Sequence, residues 1–461
     1  MKEEICDVLV IGTGFAGLSA AYVAANRGLE VFVLEKMGTP GGNSRISDGG
    51  IAAPNTDLQK KNGIEDSPAL MAEDMLKAGK GRNDSALVNI VAQNAKDVFT
   101  WTRETLGVEY EDRVDLFGGH SAPRSYAPKG TLSGRPLLQG LLKRLKRNNV
   151  RFFYKTYVQA FVQDERKRVV GVEALYPYHF TKEVETSKIF FRARKGVALC
   201  SGGFGADKTL KTSLDAKLQN ISTTNKPSST GELLKAAQKI GAKLQDMDCI
   251  QLAPWASPDE KGMGAGPLFG DYIVLPYGIV VDRKTGKRFT DELADRDTVA
   301  QAILDRKEPA IGIADDQAVK RDGLSLEKAL KKQVVRAFDS VETLAKHYNV
   351  DYGSLAKTIE ITNQGIKNGK DAFKKSLSKR ATPIEVAPFY AMRMWPKVHH
   401  TMGGLAIDTK ARVLDKQNTP IEGLFAAGEA AAGVHGAGRL GSCAITDCLV
   451  MGRVAGKNAS L

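Results

Sequence analysis

The 461-residue chain lacks the features that would put it in a bilayer, a disulfide framework or a zinc module. No apolar run approaches the ~20 residues needed to cross a membrane. Its five cysteines, Cys6, Cys200, Cys249, Cys443 and Cys448, form no Cys-x-x-Cys pair and no haem-attachment motif. An odd, scattered set argues against disulfides and against structural zinc, so no metal is expected. No signal peptide is evident: Met1-Lys2-Glu3-Glu4 runs straight into a predicted strand. As it stands the chain therefore reads as cytoplasmic, or as periplasmic if a leader has been removed. There is no internal repeat and no low-complexity segment. The excess of 66 Lys+Arg over 53 Asp+Glu gives +13 without a long basic run, and Lys143 to Arg151 is an ordinary amphipathic patch. With no recognition motif beside the charge, nucleic acid is not an expected partner, whereas attraction of small anions or simple solubility is.

What the chain has in quantity is glycine, 46 residues, gathered where backbone must turn sharply or approach a ligand. Ile5–Ile11 predicts a strand, Ala16–Arg27 a helix with small residues on one face, and Leu29–Leu34 a second strand ending in Glu35. Between strand and helix runs Gly12-Thr13-Gly14-Phe15-Ala16-Gly17. This is a dinucleotide fingerprint in its βαβ setting, with the helix N-terminus facing a pyrophosphate. Glu35, 18 residues past Gly17, falls where a carboxylate binds a ribose hydroxyl, with Lys36 beside it.

A second loop, Gly41-Gly42-Asn43-Ser44 followed by Ser47 and Gly49-Gly50, points to FAD rather than NAD, because its amides can contact both pyrophosphate and the isoalloxazine edge. Strands predicted at Val197–Cys200 and Gly423–Ala427 also run into glycine turns, at Gly202-Gly203 and at Gly428-Glu429, where the acid can meet the ribityl chain. Three such junctions fit the carboxyl-end edge of one parallel sheet. From Ile250 to Val398 the glycine loops thin out and Lys-rich stretches, Leu326–Ala337 and Ser340–His347, predict helices. The expected fold is α/β: a Rossmann-like FAD-binding domain over residues 1–249 and 399–461, with an inserted α+β capping domain over 250–398. A second nucleotide fingerprint is absent, since Gly262-Met263-Gly264-Ala265-Gly266 lacks flanking strand and helix. Electrons must then come from outside or from the substrate.

Taken with Val398-His399-His400-Thr401-Met402-Gly403-Gly404 and His435 to Gly441, these motifs resemble the fumarate reductase and succinate dehydrogenase flavoprotein family. The likeness is to the soluble flavocytochrome c type fumarate reductases and the reductases of urocanate, cinnamates and acrylates. It spans nearly the whole chain, including Ser201-Gly202-Gly203-Phe204, Gly286-Lys287-Arg288-Phe289 and Asp295-Arg296-Asp297, but neither a haem domain nor a covalent-flavin segment is present.

The resemblance implies non-covalent FAD, held further by His400, Ser442, Ala444 and Ile445. It implies that His399 and Arg439 bind a substrate carboxylate and that Arg296 donates the proton. The implied reaction reduces the C=C bond of an α,β-unsaturated carboxylate by hydride transfer from flavin N5, with a cytochrome c or a reduced flavin carrier as external donor. The family's histidine for a second carboxylate is missing at Ala253, and Asp271, Tyr272 and Trp255 are candidate substrate contacts. A monocarboxylate is therefore expected: urocanate, then a cinnamate, then acrylate or methacrylate. Fumarate reduction proper, a flavin dehydrogenase or oxidase running in reverse, and an electron-transfer subunit are the alternatives. His435 either touches the flavin or stabilises its turn, His120 either lies near the flavin or is exposed, and Cys443 and Cys448 read as buried small hydrophobes.

Overall fold

A computed structural model describes residues 2–377 and 381–461; Met1 lies outside them. The principal sheet has eight strands. Its centre is parallel: Pro420–Ala426, Ser187–Leu199, Lys2–Ile11, Val31–Leu34 and Arg151–Phe153 lie side by side in that order. Arg412–Leu414 closes one edge antiparallel, and the hairpin Tyr157–Gln163/Val169–Tyr176 pairs antiparallel with the long strand Ser187–Leu199. The central strands are continuous apolar runs, as a sheet covered on both faces requires, and Val8, Leu9, Val10 and Phe32 are fully buried. The three strand-to-glycine junctions share one edge: Ile11 pairs with Leu199, and Leu199 with Ala426.

Small residues on the first helix, Phe15–Ala25, let it lie against the C-terminal helix Cys443–Ala459 with almost no gap. A Cβ at Gly452 would stand 2.4 Å from the Ala16 carbonyl oxygen, and one at Gly456 2.3 Å from that of Ala20. Both helices thereby bring their N-termini to the glycine-bearing edge of the sheet.

The intervening segment builds a second layer with its own sheet. Four antiparallel strands, Ile279–Val281, Ala310–Ala314, Phe389–Met394 and Arg336–Phe338, pack on helices through separate apolar clusters around Phe269, Ile273 and Met394 and around Ile311 and Leu355. An antiparallel ribbon, Ile250–Ala253 with Lys397–Thr401, connects this layer to the first. The long helix expected over Leu326–Ala337 is corrected. Only Glu327–Lys331 is helical, Gln333 takes φ +57°, and Arg336–Phe338 is a strand on Phe389–Ala391. Pairing with a neighbouring strand outweighs the helix propensity of the Lys-rich stretch.

Candidate active site

Two adjoining hollows lie along the glycine-bearing edge and share Phe15, Asn43, Ser44, Glu429 and Cys448 as walls. The first is a trough of about 950 Å³ over the opening fingerprint. Gly12, Gly14, Phe15 and Ala16 form its floor, with Glu35, Lys36 and Gly42 on its sides. Gly14 caps the first helix without a side-chain bond of its own, and no acid occupies the first turn, so the positive end of the helix faces the trough without a counter-charge in that turn. Ser44 Oγ accepts from the Phe15 amide at 3.0 Å and ties the second glycine loop to that helix start. Glu35 accepts from the Thr13 hydroxyl and from the Met37 amide at 2.9 Å, which aims its carboxylate along the rim. Lys36 is ion-paired with Glu232 on the opposite bank.

Gly17, Gly49, Gly203 and Gly428, also expected to touch the cofactor, are not among the residues lining either hollow. Their glycine character serves packing: a Cβ at Gly17 would meet the Gly12 oxygen at 2.1 Å, and one at Gly203 would meet Thr401 Oγ1 at 2.0 Å.

The second hollow lies beneath the second layer, and every substrate contact expected from sequence reaches its wall: Trp255, Asp271, Tyr272, His399 and Arg439, with Arg296. Gly50, His400, Ser442, Ala444 and Ile445 complete the side nearest the trough. Arg296 is the first residue of the helix Arg296–Leu304, whose start is capped by the Asp295 carboxylate. Its guanidinium lies 3.2 Å from Asp271 Oδ2 and 5.5 Å above the Trp255 ring. Asp271 and Tyr272 stand on a single π-helical turn, Gly270–Val274, a geometry that bulges one residue sideways. Burial pushes the Asp271 carboxyl up to about 6 against the opposing pull of Arg296. His399 stacks edge-on against Trp255 at 4.9 Å, and its Nδ1 sits 2.8 Å from Thr224 Oγ1. Burial, with Arg439 and then Arg296 nearby, drives its imidazole well below the usual range, and His400 likewise, so both rings are neutral near pH 7. The same burial and the neighbouring Arg296 push Arg439 down to about 9, so this guanidinium is primed to gain from an anion.

Several buried polar atoms on these walls have no partner: Trp255 Nε1, Arg296 Nη1, Arg439 Nε and Ser442 Oγ. Unpaired buried donors cost free energy unless a ligand meets them.

Arg439 sits on a loop braced from below. His120 is buried, not exposed; its Nε2 lies 2.9 Å from the Gly441 carbonyl and its Nδ1 3.1 Å from Arg124. Arg124 can only donate and the carbonyl can only accept, so His120 holds its proton on Nε2. Burial and Arg124 hold this imidazole down at about 4. Arg124 itself is pinned by Asp66 at 2.8 Å and Asp74 at 2.5 Å. His435 packs edge-on against His400 at 5.6 Å with Asp447 at 3.3 Å, and it is not among the residues lining either hollow. Cys443 is buried as expected, whereas Cys448 is half-buried and borders both hollows. Sequence reasoning missed Asp48, Thr224 and Asn225, which lie on loops and repeat with no period that marks them. Asn225 accepts from Asn43 at 2.6 Å and donates to the His399 carbonyl at 2.9 Å, linking the two hollows.

A trough with a helix N-terminus at its floor fits a dinucleotide pyrophosphate, and the adjoining hollow with unpaired donors fits a reactant beside it. Fold and site together define an FAD-dependent oxidoreductase. The chain belongs to the FAD binding domain family, whose model matches residues 7–445. It is 39% identical over 466 residues to the acrylate reductase flavoprotein subunit of Shewanella woodyi, covering 99% of this chain and 91% of that one. It is 36% identical over 471 residues to the urocanate reductase of Eggerthella lenta, covering 98% and 74%. The fold matches the open conformation of a flavocytochrome c3 fumarate reductase with a TM-score of 0.77 at 33% identity, over 99% of this chain and 78% of that one. Among the described residues no helix is long and apolar enough to cross a membrane.

Proposed function

We propose that this protein reduces the C=C bond of an α,β-unsaturated monocarboxylate, in a cleft between an FAD-binding domain (1–249 and 399–461) and a cap (250–398). The observation that carries the reading is the convergence of His399, Arg439 and Arg296 on one buried hollow that adjoins the nucleotide trough. Arg439 offers a planar guanidinium with an unpaired Nε, suited to one carboxylate. In the tautomer that accepts from the Thr224 hydroxyl at Nδ1, the neutral His399 ring presents Nε2–H as a further donor to the same group. Both interactions strengthen as negative charge builds toward the carboxylate during reduction.

Bound FAD, held non-covalently along the trough, supplies the hydride that reaches one carbon of the double bond. Arg296 protonates the other carbon. An arginine gives up a proton only in a dry site to a strongly basic partner, and its guanidinium is almost fully buried here. Asp271, ion-paired to Arg296, fixes its orientation. The wall beyond the arginines is apolar, with Trp255, Met263, Pro267 and Leu268 and, among the described residues, no third guanidinium or ammonium, which favours a single carboxylate with an acrylate, cinnamate or urocanate skeleton. Reducing equivalents come from a separate carrier, a cytochrome c or a reduced flavin protein.

The test is anaerobic oxidation of reduced viologen by the purified holoprotein with acrylate, methacrylate, cinnamate, urocanate and fumarate. Turnover with at least one monocarboxylate above that with fumarate is the expected result. Preference for fumarate, or silence across the set with flavin still bound, refutes the proposal.

A further inference from the structure

The charges facing the second hollow are few, and they can be paired off. Its cations are Arg296 and Arg439, and its acids are Asp48, Asp271 and Glu429. His399 and His400 add none, because burial keeps both rings neutral. Arg296 is already matched by Asp271 at 3.2 Å. Glu429 accepts from the Thr401 amide at 3.0 Å and from its hydroxyl at 3.2 Å, on the wall shared with the nucleotide trough. Among the described residues that leaves one guanidinium without an ion pair, Arg439, and one carboxylate on the wall away from the trough, Asp48, near enough to act on each other.

Asp48 is held from both sides of the cleft. Its Oδ1 accepts from the Gly50 amide at 3.0 Å within its own loop, and its Oδ2 accepts from the Tyr272 hydroxyl at 2.9 Å across the cleft. Tyr272 is in turn fixed, almost fully buried and edge-on to Phe117 at 5.3 Å. Neither hydrogen-bond partner carries a positive charge. A negative charge is thus fastened into the wall of a pocket whose remaining surface is mostly apolar.

We infer that Asp48, held in place by Tyr272, is the specificity-determining residue that restricts this site to substrates with one carboxylate and an uncharged far end. The inference rests on the reading of the site as a monocarboxylate reductase and gives it a physical cause. The first carboxylate of any substrate takes Arg439 and His399. A second would enter a low-dielectric space where, among the described residues, no cation is left to meet it and Asp48 repels it, so a dicarboxylate is rejected by charge rather than by size.

The experiment uses the flavin-loaded protein with Asp48→Asn, Asp48→Glu and Tyr272→Phe. Binding of fumarate and succinate, and of methacrylate and isobutyrate as single-carboxylate counterparts, is titrated through the change in the visible flavin band, and kcat/KM is measured with reduced viologen. The flavin spectrum reports that each variant is assembled. Asp48→Asn is expected to improve dicarboxylate over monocarboxylate affinity by about ten-fold or more, the scale of one buried unit charge. Asp48→Glu keeps the charge and is expected to keep the wild-type ratio. Tyr272→Phe frees the carboxylate to move and shifts the ratio part of the way. An unchanged ratio in Asp48→Asn, or Asp48→Glu behaving like Asp48→Asn, overturns the inference. Wild-type turnover alone tests the underlying reading: a wild-type enzyme that works on monocarboxylates with an unchanged ratio in the variants leaves that reading standing and removes Asp48.

Discussion

Arg296→Ala is the substitution that most sharply separates chemistry from architecture. The side chain makes two contacts, an ion pair with Asp271 at 3.2 Å and a cation–π contact with Trp255 at 5.5 Å. Removing one partner of a buried pair commonly costs ~3–5 kcal/mol, because the other is stranded as a charge. Here the stranded group has an exit. Asp271 already titrates at about 6 with Arg296 present, and without that cation it takes a proton at pH 7. Becoming neutral from a value one unit below the ambient pH limits the added penalty to roughly 1 kcal/mol. The lost ring contact adds about 1 kcal/mol more. A domain stable by ~5–15 kcal/mol absorbs this, so the variant should fold and keep its flavin. Turnover, by contrast, should fall by about 10²–10⁴, the range for removing a positioned proton donor. The assay is viologen-coupled reduction of the best substrate, with flavin occupancy read from the visible spectrum of the same sample. Full activity with full flavin refutes Arg296 as the donor; loss of flavin together with activity refutes the stability argument.

Three further outcomes are expected. Arg439→Ala should raise KM for the carboxylate substrate by about ten-fold or more, and Arg439→Lys should recover little of it, because an ammonium lacks the planar fork; equal KM in all three proteins removes Arg439 from the carboxylate clamp. The raised Asp271 carboxyl binds its proton more tightly folded than unfolded, so its penalty is absent below the ordinary aspartate value near 3.8, grows as pH rises to about 6, and is constant above. Denaturant unfolding of wild type and Asp271→Asn should therefore diverge in favour of the variant between pH 4 and pH 7, by up to about 3 kcal/mol, and parallel curves refute a buried ionisable acid. Gly203→Ala puts a Cβ 2.0 Å from Thr401 Oγ1 and 2.6 Å from Glu429 Oε1, so overpacking by about 1–3 kcal/mol should appear as a lower melting temperature and weaker flavin retention; a variant that melts and binds flavin like wild type contradicts the tight fit.

The nucleotide half of the fold was legible because its signals are local. A strand, a glycine turn and a helix of small residues lie within thirty positions, and the physics that needs them acts over the same span. The capping layer was less so. Leu326–Ala337 reads as helix by composition, yet Arg336–Phe338 pairs with a strand more than fifty residues away, which no window along the chain reveals. In the site, His399, Arg439 and Arg296 could be named only because the motifs around them resemble those of the flavoprotein family; their burial together could not be read from the chain. A glycine that makes room for a ligand and one that makes room for a neighbouring oxygen, as at Gly17 and Gly203, look alike in sequence. Asp48 was passed over as one polar residue in a loop; only the Tyr272 hydroxyl, 224 positions on, shows that the loop acid is held at the pocket.

The ribbon of Ile250–Ala253 and Lys397–Thr401 connects the two layers and also carries His399 and His400. The strut and the clamp are therefore one piece of backbone. Any rotation of the upper layer about this ribbon would swing the His399 ring relative to Arg439, which stays on its braced loop. On the proposed function, a carboxylate held by both groups would bridge the ribbon and the Arg439 loop, so a substitution in the ribbon far from the ligand would register as a change in affinity.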